Sequence, residues 1–156
     1  MTPHHQVWRA REQPDFAGPL LLDTHVWFWL LVGDLSRMHP SVGGMLDRAA
    51  RHGMLYVSDI SVWEIARKTV SGRLSLSLPV DIWLERAAQA PGISFLPLDR
   101  SVLVLGARLG EMHGDPADRW IVATAKLRQL TLLTADRAVL EFGRREQVTP
   151  MGDVRK

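Results

Sequence analysis

The chain has 156 residues, 46% of them hydrophobic and 23% charged, which fits one globular domain and excludes a disordered chain or a coiled-coil rod. It contains no cysteine, which excludes a disulfide framework, thiolate zinc, iron–sulfur clusters and a cysteine nucleophile, and fits a reducing cytosol. A formal net charge of +2 is too mild to announce a nucleic-acid binder by charge alone.

Residues 1–18 are polar and proline-containing, with no apolar segment before a small-residue cleavage site, and read as a flexible extension outside the fold. Residues 19–150 read as one domain. No stretch approaches the roughly 18–20 apolar residues of a membrane span, so a cytoplasmic protein without membrane contact is expected. Leu20 to Leu22 is a short apolar run that stops at Asp23, as a buried strand does. A helix rich in large apolar groups follows from Thr24 to Leu31, and a second runs to Arg51 with Ser41 as its cap. Met54 to Val57 is the next strand, and Ser58 to Val70 the next helix. Leu74 to Leu78 is weak strand or loop, and a helix spans Asp81 to Ala90. Ile93 to Leu98 is a third strand, Ser101 to Leu109 a helix and His113-Gly114-Asp115 a turn. Pro116 opens a helix that reaches Arg128. Thr131 to Thr134 is a fourth strand, Asp136 to Phe142 a helix, and Val148 marks a last short strand. This alternation predicts an α/β fold of three layers, with a mostly parallel central sheet and helices on both faces.

In open α/β sheets ligands bind beyond the carboxyl ends of the strands. Acidic residues recur there. Asp23 follows the first strand, Asp59 and Glu64 the second, and Asp136 the fourth, while Asp115 and Asp118 open the helix before it. Gathered carboxylates repel one another unless a counter-ion sits among them, and oxygen donors suit Mg²⁺ or Mn²⁺. Such ions activate water and neutralise charge on a phosphoryl group, so the pattern points to metal-assisted phosphodiester hydrolysis. Each acid taken singly has a structural reading too. Ser61-x-x-Glu64 has the form of a capping box, Asp115-x-x-Asp118 resembles one, and Asp23 and Asp136 are well placed as N-caps.

Four segments carry a resemblance: Leu20-Leu-Leu-Asp23-Thr-His-Val-Trp, Val57-Ser-Asp-Ile-Ser-Val-Trp-Glu64-Ile-Ala, His113-Gly-Asp-Pro-Ala-Asp118-Arg-Trp-Ile-Val-Ala-Thr-Ala and Leu132-Leu-Thr-Ala-Asp136. In kind and order they resemble the PIN-domain family, and within it the VapC-type ribonuclease toxins of bacterial toxin–antitoxin pairs. The resemblance runs from about Pro19 to Val148, and the polar segment ahead of it is its one departure. It implies an acidic cluster of Asp23, Glu64, Asp118 and Asp136, with Asp23 and Asp118 as direct metal ligands and Asp136 completing the metal site. Glu64 would hold metal-bound water or orient the nucleophile, Thr24 and Thr134 would support the cluster, and Asp115 would cap the helix that carries Asp118. It further implies an Mg²⁺- or Mn²⁺-dependent endoribonuclease acting on RNA, a cognate VapB-like antitoxin and a homodimer.

Other chemistries lack their signatures. The six histidines include no His-x-x-x-His pair, and there is no phosphate-binding glycine loop or GxSxG elbow. A phosphatase of the haloacid dehalogenase kind needs Asp-x-Asp, which Asp23-Thr24-His25 lacks. Arg119 and Arg137 flank the acids and are candidate RNA contacts, although an arginine taken singly is usually a solvated surface charge. The six tryptophans read as core and subunit contacts. The rival from another class is a non-catalytic RNA- or protein-binding module on the same scaffold.

Overall fold

Three consecutive leucines form the centre of the sheet, and the layers follow from how they alternate. In the computed structural model, which describes residues 7–112 and 115–156, the strands are β1 (Val7–Arg9), β2 (Leu20–Leu22), β3 (Leu55–Ser58), β4 (Ile93–Leu96), β5 (Thr131–Thr134) and β6 (Met151–Asp153). The helices are α1 (Thr24–Val32), α2 (Ser41–Arg51), α3 (Asp59–Val70), α4 (Val80–Ala88), α5 (Arg100–Arg108), α6 (Ala117–Arg128) and α7 (Arg137–Glu146). Of the expected turn at 113–115, His113 and Gly114 lie outside the described residues.

Successive side chains of a strand point to opposite faces. Leu20 and Leu22 accordingly enter one core with Val26, Trp27, Val42, Met45 and Val57. Leu21 enters the other with Ile121, Leu132, Val139, Leu140 and Phe142. All three leucines are fully buried, worth about 1.5–3 kcal/mol each in transfer terms. Burial on both faces is why β2 is uniformly apolar rather than alternating, as in other parallel sheets covered by helices. The fold is the expected α/β sandwich of three layers, and every pairing in the sheet is parallel.

Strand order is β1-β6-β5-β2-β3-β4. From β2 the chain moves outward through β3 to β4, then returns to place β5 on the other side of β2. The order therefore reverses between β2 and β5, and a crevice opens at their carboxyl ends.

Several expectations need correction. Residues 7–12 belong to the fold. β1 pairs with β6, Trp8 is 4% exposed and Ala10 is fully buried. The Trp8 ring packs against Phe16 and fills the space that the missing side chain of Gly152 leaves open. Of the two readings of Leu74–Leu78, weak strand or loop, the structure shows loop. The last strand begins at Met151 rather than at Val148, because α7 runs on to Glu146 and residues 147–150 then turn the chain, Gln147 with a positive φ of 50°. Ser41 is the first residue of α2 rather than its cap, and its hydroxyl meets His39 Nδ1 at 2.9 Å. Among the described residues no helix is long and apolar enough to cross a membrane.

Candidate functional site

Asp23 stands where β2 ends and α1 begins, with its backbone N–H bonded to Leu133 O of β5 at 3.0 Å. Its Oδ1 accepts from Thr24 N at 2.8 Å, and its Oδ2 accepts from the Thr134 hydroxyl at 2.5 Å. Thr134, fully buried at the end of β5, accepts in turn from Asp136 N at 3.0 Å. One hydroxyl thus ties together two acids from opposite sides of the switch in strand order. Asp136 caps α7, and both capping bonds, from Ala138 N at 2.7 Å and Val139 N at 3.2 Å, fall on Oδ1.

Glu64 reaches the same place from α3. Its Oε1 accepts from the Thr24 hydroxyl at 2.6 Å, and Lys68 Nζ lies 3.8 Å from its Oε2. Since Thr24 has a single hydroxyl proton and gives it to Glu64, the Ser61 hydroxyl at 2.8 Å must donate to Thr24. Ser61 is therefore no helix cap, and the expected Ser61-x-x-Glu64 box does not form. Ser58 caps α3 instead, accepting from Ile60 N at 3.3 Å. Asp59, on the first turn, is exposed.

Asp118 lies on the first turn of α6 and is 6% exposed. Burial, then the charges of Asp23, Asp136, Glu64 and Asp115, push its carboxyl up to about 8. Burial also raises Glu64, with the Thr24 hydroxyl and Lys68 opposing. Asp115 accepts from Ala117 N at 3.0 Å, as a cap for α6 should, and its Oδ2 is 3.2 Å from Arg67 Nη2. The structure thus brings Asp23, Glu64, Asp118 and Asp136 into one electrostatic neighbourhood, with Thr24, Thr134 and Asp115 around them. Among the described residues, however, no three Asp, Glu or His side chains are close enough together to enclose an ion as they stand. The donor chemistry still fits a hard divalent cation: the donors are carboxylate oxygens, and a buried acid held largely neutral near pH 7 marks negative charge without compensation.

Two neighbours make contacts that sequence reasoning does not give them. Ser61 is one. His25 is the other: its Nε2 accepts from Ala135 N at 3.0 Å, which places the ring proton on Nδ1, 3.7 Å from Asp23 Oδ2. Neither stands out, since only the fold brings Ser61 to Thr24 or His25 to Ala135. Lys68, four residues after Glu64 on one helix, is its i,i+4 partner. Arg119 is turned elsewhere: its Nη1 donates to Leu109 O at 2.8 Å and, at 3.4 Å, to Gly106 O, tying α6 to the end of α5. Arg137 is exposed at the start of α7.

A carboxylate-lined crevice at the switch point of a parallel sheet defines a class of α/β protein whose ligand site is acidic and borne on strand ends. The PIN domain model matches residues 20–144, and the chain belongs to the PIN-domain family. No curated protein matches the sequence. Among solved structures, the chain is similar to that of FitAcB from Neisseria gonorrhoeae, with 22% identity, a TM-score of 0.56, and 85% of this chain and 96% of that one covered. It is also similar to FitAB bound to an IR36 DNA fragment, with 23% identity, a TM-score of 0.54, and 86% and 94% covered. At these identities the likeness is one of fold.

Proposed function

We propose that the chain is an Mg²⁺- or Mn²⁺-dependent endoribonuclease that serves as the toxin of a type II toxin–antitoxin pair. The observation that carries this is the position of Asp118, a buried carboxyl under the charges of Asp23, Asp136, Glu64 and Asp115 at the crevice where an α/β sheet binds its ligand. Asp23, Asp118 and Asp136 would hold the ion, which, when bound, supplies activation of water and neutralisation of charge on the phosphoryl group. Thr134 fixes the relative position of Asp23 and Asp136 by bonding both. Thr24 holds Glu64 at the crevice by bonding Oε1, and Oε2, with Lys68 Nζ at 3.8 Å, would orient the attacking water. The Nδ1–H of His25 faces Asp23 and holds the ring's positive edge toward the acids.

The resemblance to VapC-type toxins supports the biological role, a VapB-like antitoxin as partner and a homodimer. A two-arm incubation tests the chemistry. RNA should stay intact in chelator and be cut on adding Mg²⁺ or Mn²⁺, leaving 5′-phosphate and 3′-hydroxyl ends. Cyclic phosphate ends, or full cleavage in chelator, would contradict the reading.

A further inference from the structure

Along the carboxyl edge of the sheet lies a cavity of about 390 Å³ whose lining is mostly basic. Arg9, Arg11, Arg137, Arg155 and Lys156 line it, with Asp153 as the one acid. Asp153 is 3% exposed and fully engaged by Arg155, through backbone N at 3.1 Å, Nε at 2.9 Å and Nη2 at 2.7 Å. No ion pair among the described residues involves Arg9, Arg11 or Arg137. Arg9, Arg11 and Arg137 are exposed there, so with Lys156 they give this edge a locally positive surface open to an anion.

The sheet sets how this cavity stands to the acids. Arg9 is paired with Asp153, and Asp153 with Thr134, the hydroxyl that bonds Asp23. Neighbouring strands are about 4.8 Å apart, so the Arg9 backbone stands about 10 Å from that of Thr134 along the carboxyl edge. Arg137 directly follows Asp136, which joins the two regions by a single peptide bond.

We propose that this cavity binds a phosphate of the single-stranded RNA backbone next to the bond being cut, which makes the N-terminal strand part of the substrate surface. The identity of the ligand rests on the nuclease reading above. Planar guanidinium forks match phosphate oxygens in pairs, and the polar cavity suits no apolar ligand. A strand whose scissile phosphate lies at Asp23 and Asp136 carries its next phosphates along this edge, where the cations are. An acidic segment of a protein would have no such continuation into a crevice of carboxylates.

The test is fluorescence anisotropy of a labelled single-stranded RNA of ~10 nucleotides binding the full chain in chelator over a range of salt. Arg9→Ala/Arg11→Ala and, separately, Arg137→Glu should each weaken binding roughly tenfold, with the salt slope reduced by about 0.7 for each phosphate that is no longer neutralised. Arg9→Lys/Arg11→Lys should restore most of the slope. In Mg²⁺, KM for RNA should rise more than kcat falls. Equal affinity and slope in wild type and all variants, with melting curves unchanged, would overturn the proposal. So would variants that keep RNA affinity but lose binding of poly-glutamate, which would make the cavity a protein-docking site. Wild type that binds RNA through these arginines but never cuts it would refute the nuclease reading while supporting the cavity.

Discussion

Thr134 donates its hydroxyl proton to Asp23 Oδ2 across 2.5 Å, joining residues 111 positions apart, while accepting from Asp136 N. Valine has the same shape but neither function. Thr134→Val should therefore lower stability by about 1–3 kcal/mol, because a buried carboxylate oxygen and a backbone N–H lose their partner. Urea unfolding checks this. A midpoint equal to that of wild type would mean that Thr134 only fills space.

Asp118 predicts a pH dependence whose sign is fixed. Its folded pKa, about 8, lies above the ordinary value of 3.8, so the folded state holds a proton that the unfolded chain has released. In chelator, stability should fall as pH rises from about 4 to about 8 and level off beyond. Asp118→Asn should flatten that slope and be the more stable protein at pH 8. Asp23→Asn should give no such relief, since Asp23 has two donors on its carboxylate that asparagine cannot satisfy equally. Mg²⁺ must displace the same proton from Asp118, so its affinity should rise from pH 6 to pH 9 in calorimetric titrations. A wild-type slope of zero in chelator would show that Asp118 carries no shift.

Arg119 serves the fold. Removing its bonds to the carbonyls of Leu109 and Gly106 should cost about 1–2 kcal/mol in Arg119→Ala, with RNA affinity in chelator unchanged. Weaker RNA binding at unchanged melting temperature would restore it as a substrate contact.

How much of the molecule is legible in the sequence depends on whether a residue's partners are local. β2 is legible because a strand buried on both faces is apolar throughout, and β5 is expected with its observed limits, the Leu132-Leu133 pair between two buried threonines, Thr131 and Thr134. The four acids are legible because each sits at a strand end or on an early helical turn. β1 is not legible: Val7 and Trp8 sit among polar and charged residues, and their partner strand lies at the far end of the chain, at Met151 to Asp153. The side-chain bridge from Ser61 to Thr24, 37 residues away, likewise exists only after α1 and α3 have packed. For the same reason Arg119 reads as an external cation, since nothing local announces that α5 ends beside it.

The N-terminal strand gives a direct check on that correction. Trp8 is 4% exposed against Gly152 and Phe16, so Trp8→Ala should destabilise the protein by about 3 kcal/mol, the cost of an unfilled aromatic site. Thermal melting reads it. No change in the midpoint would return residues 7–12 to the status of an appendage.

The most direct test of the acidic crevice as a nuclease centre is the rate at which Asp118→Asn cuts single-stranded RNA in saturating Mg²⁺, measured beside wild type with both shown to be folded. Asparagine keeps the size of the side chain and removes the charge. The account predicts a loss greater than about 100-fold, since even outer partners of a metal site cost 10–100-fold. A folded Asp118→Asn that cuts RNA at the wild-type rate would contradict it.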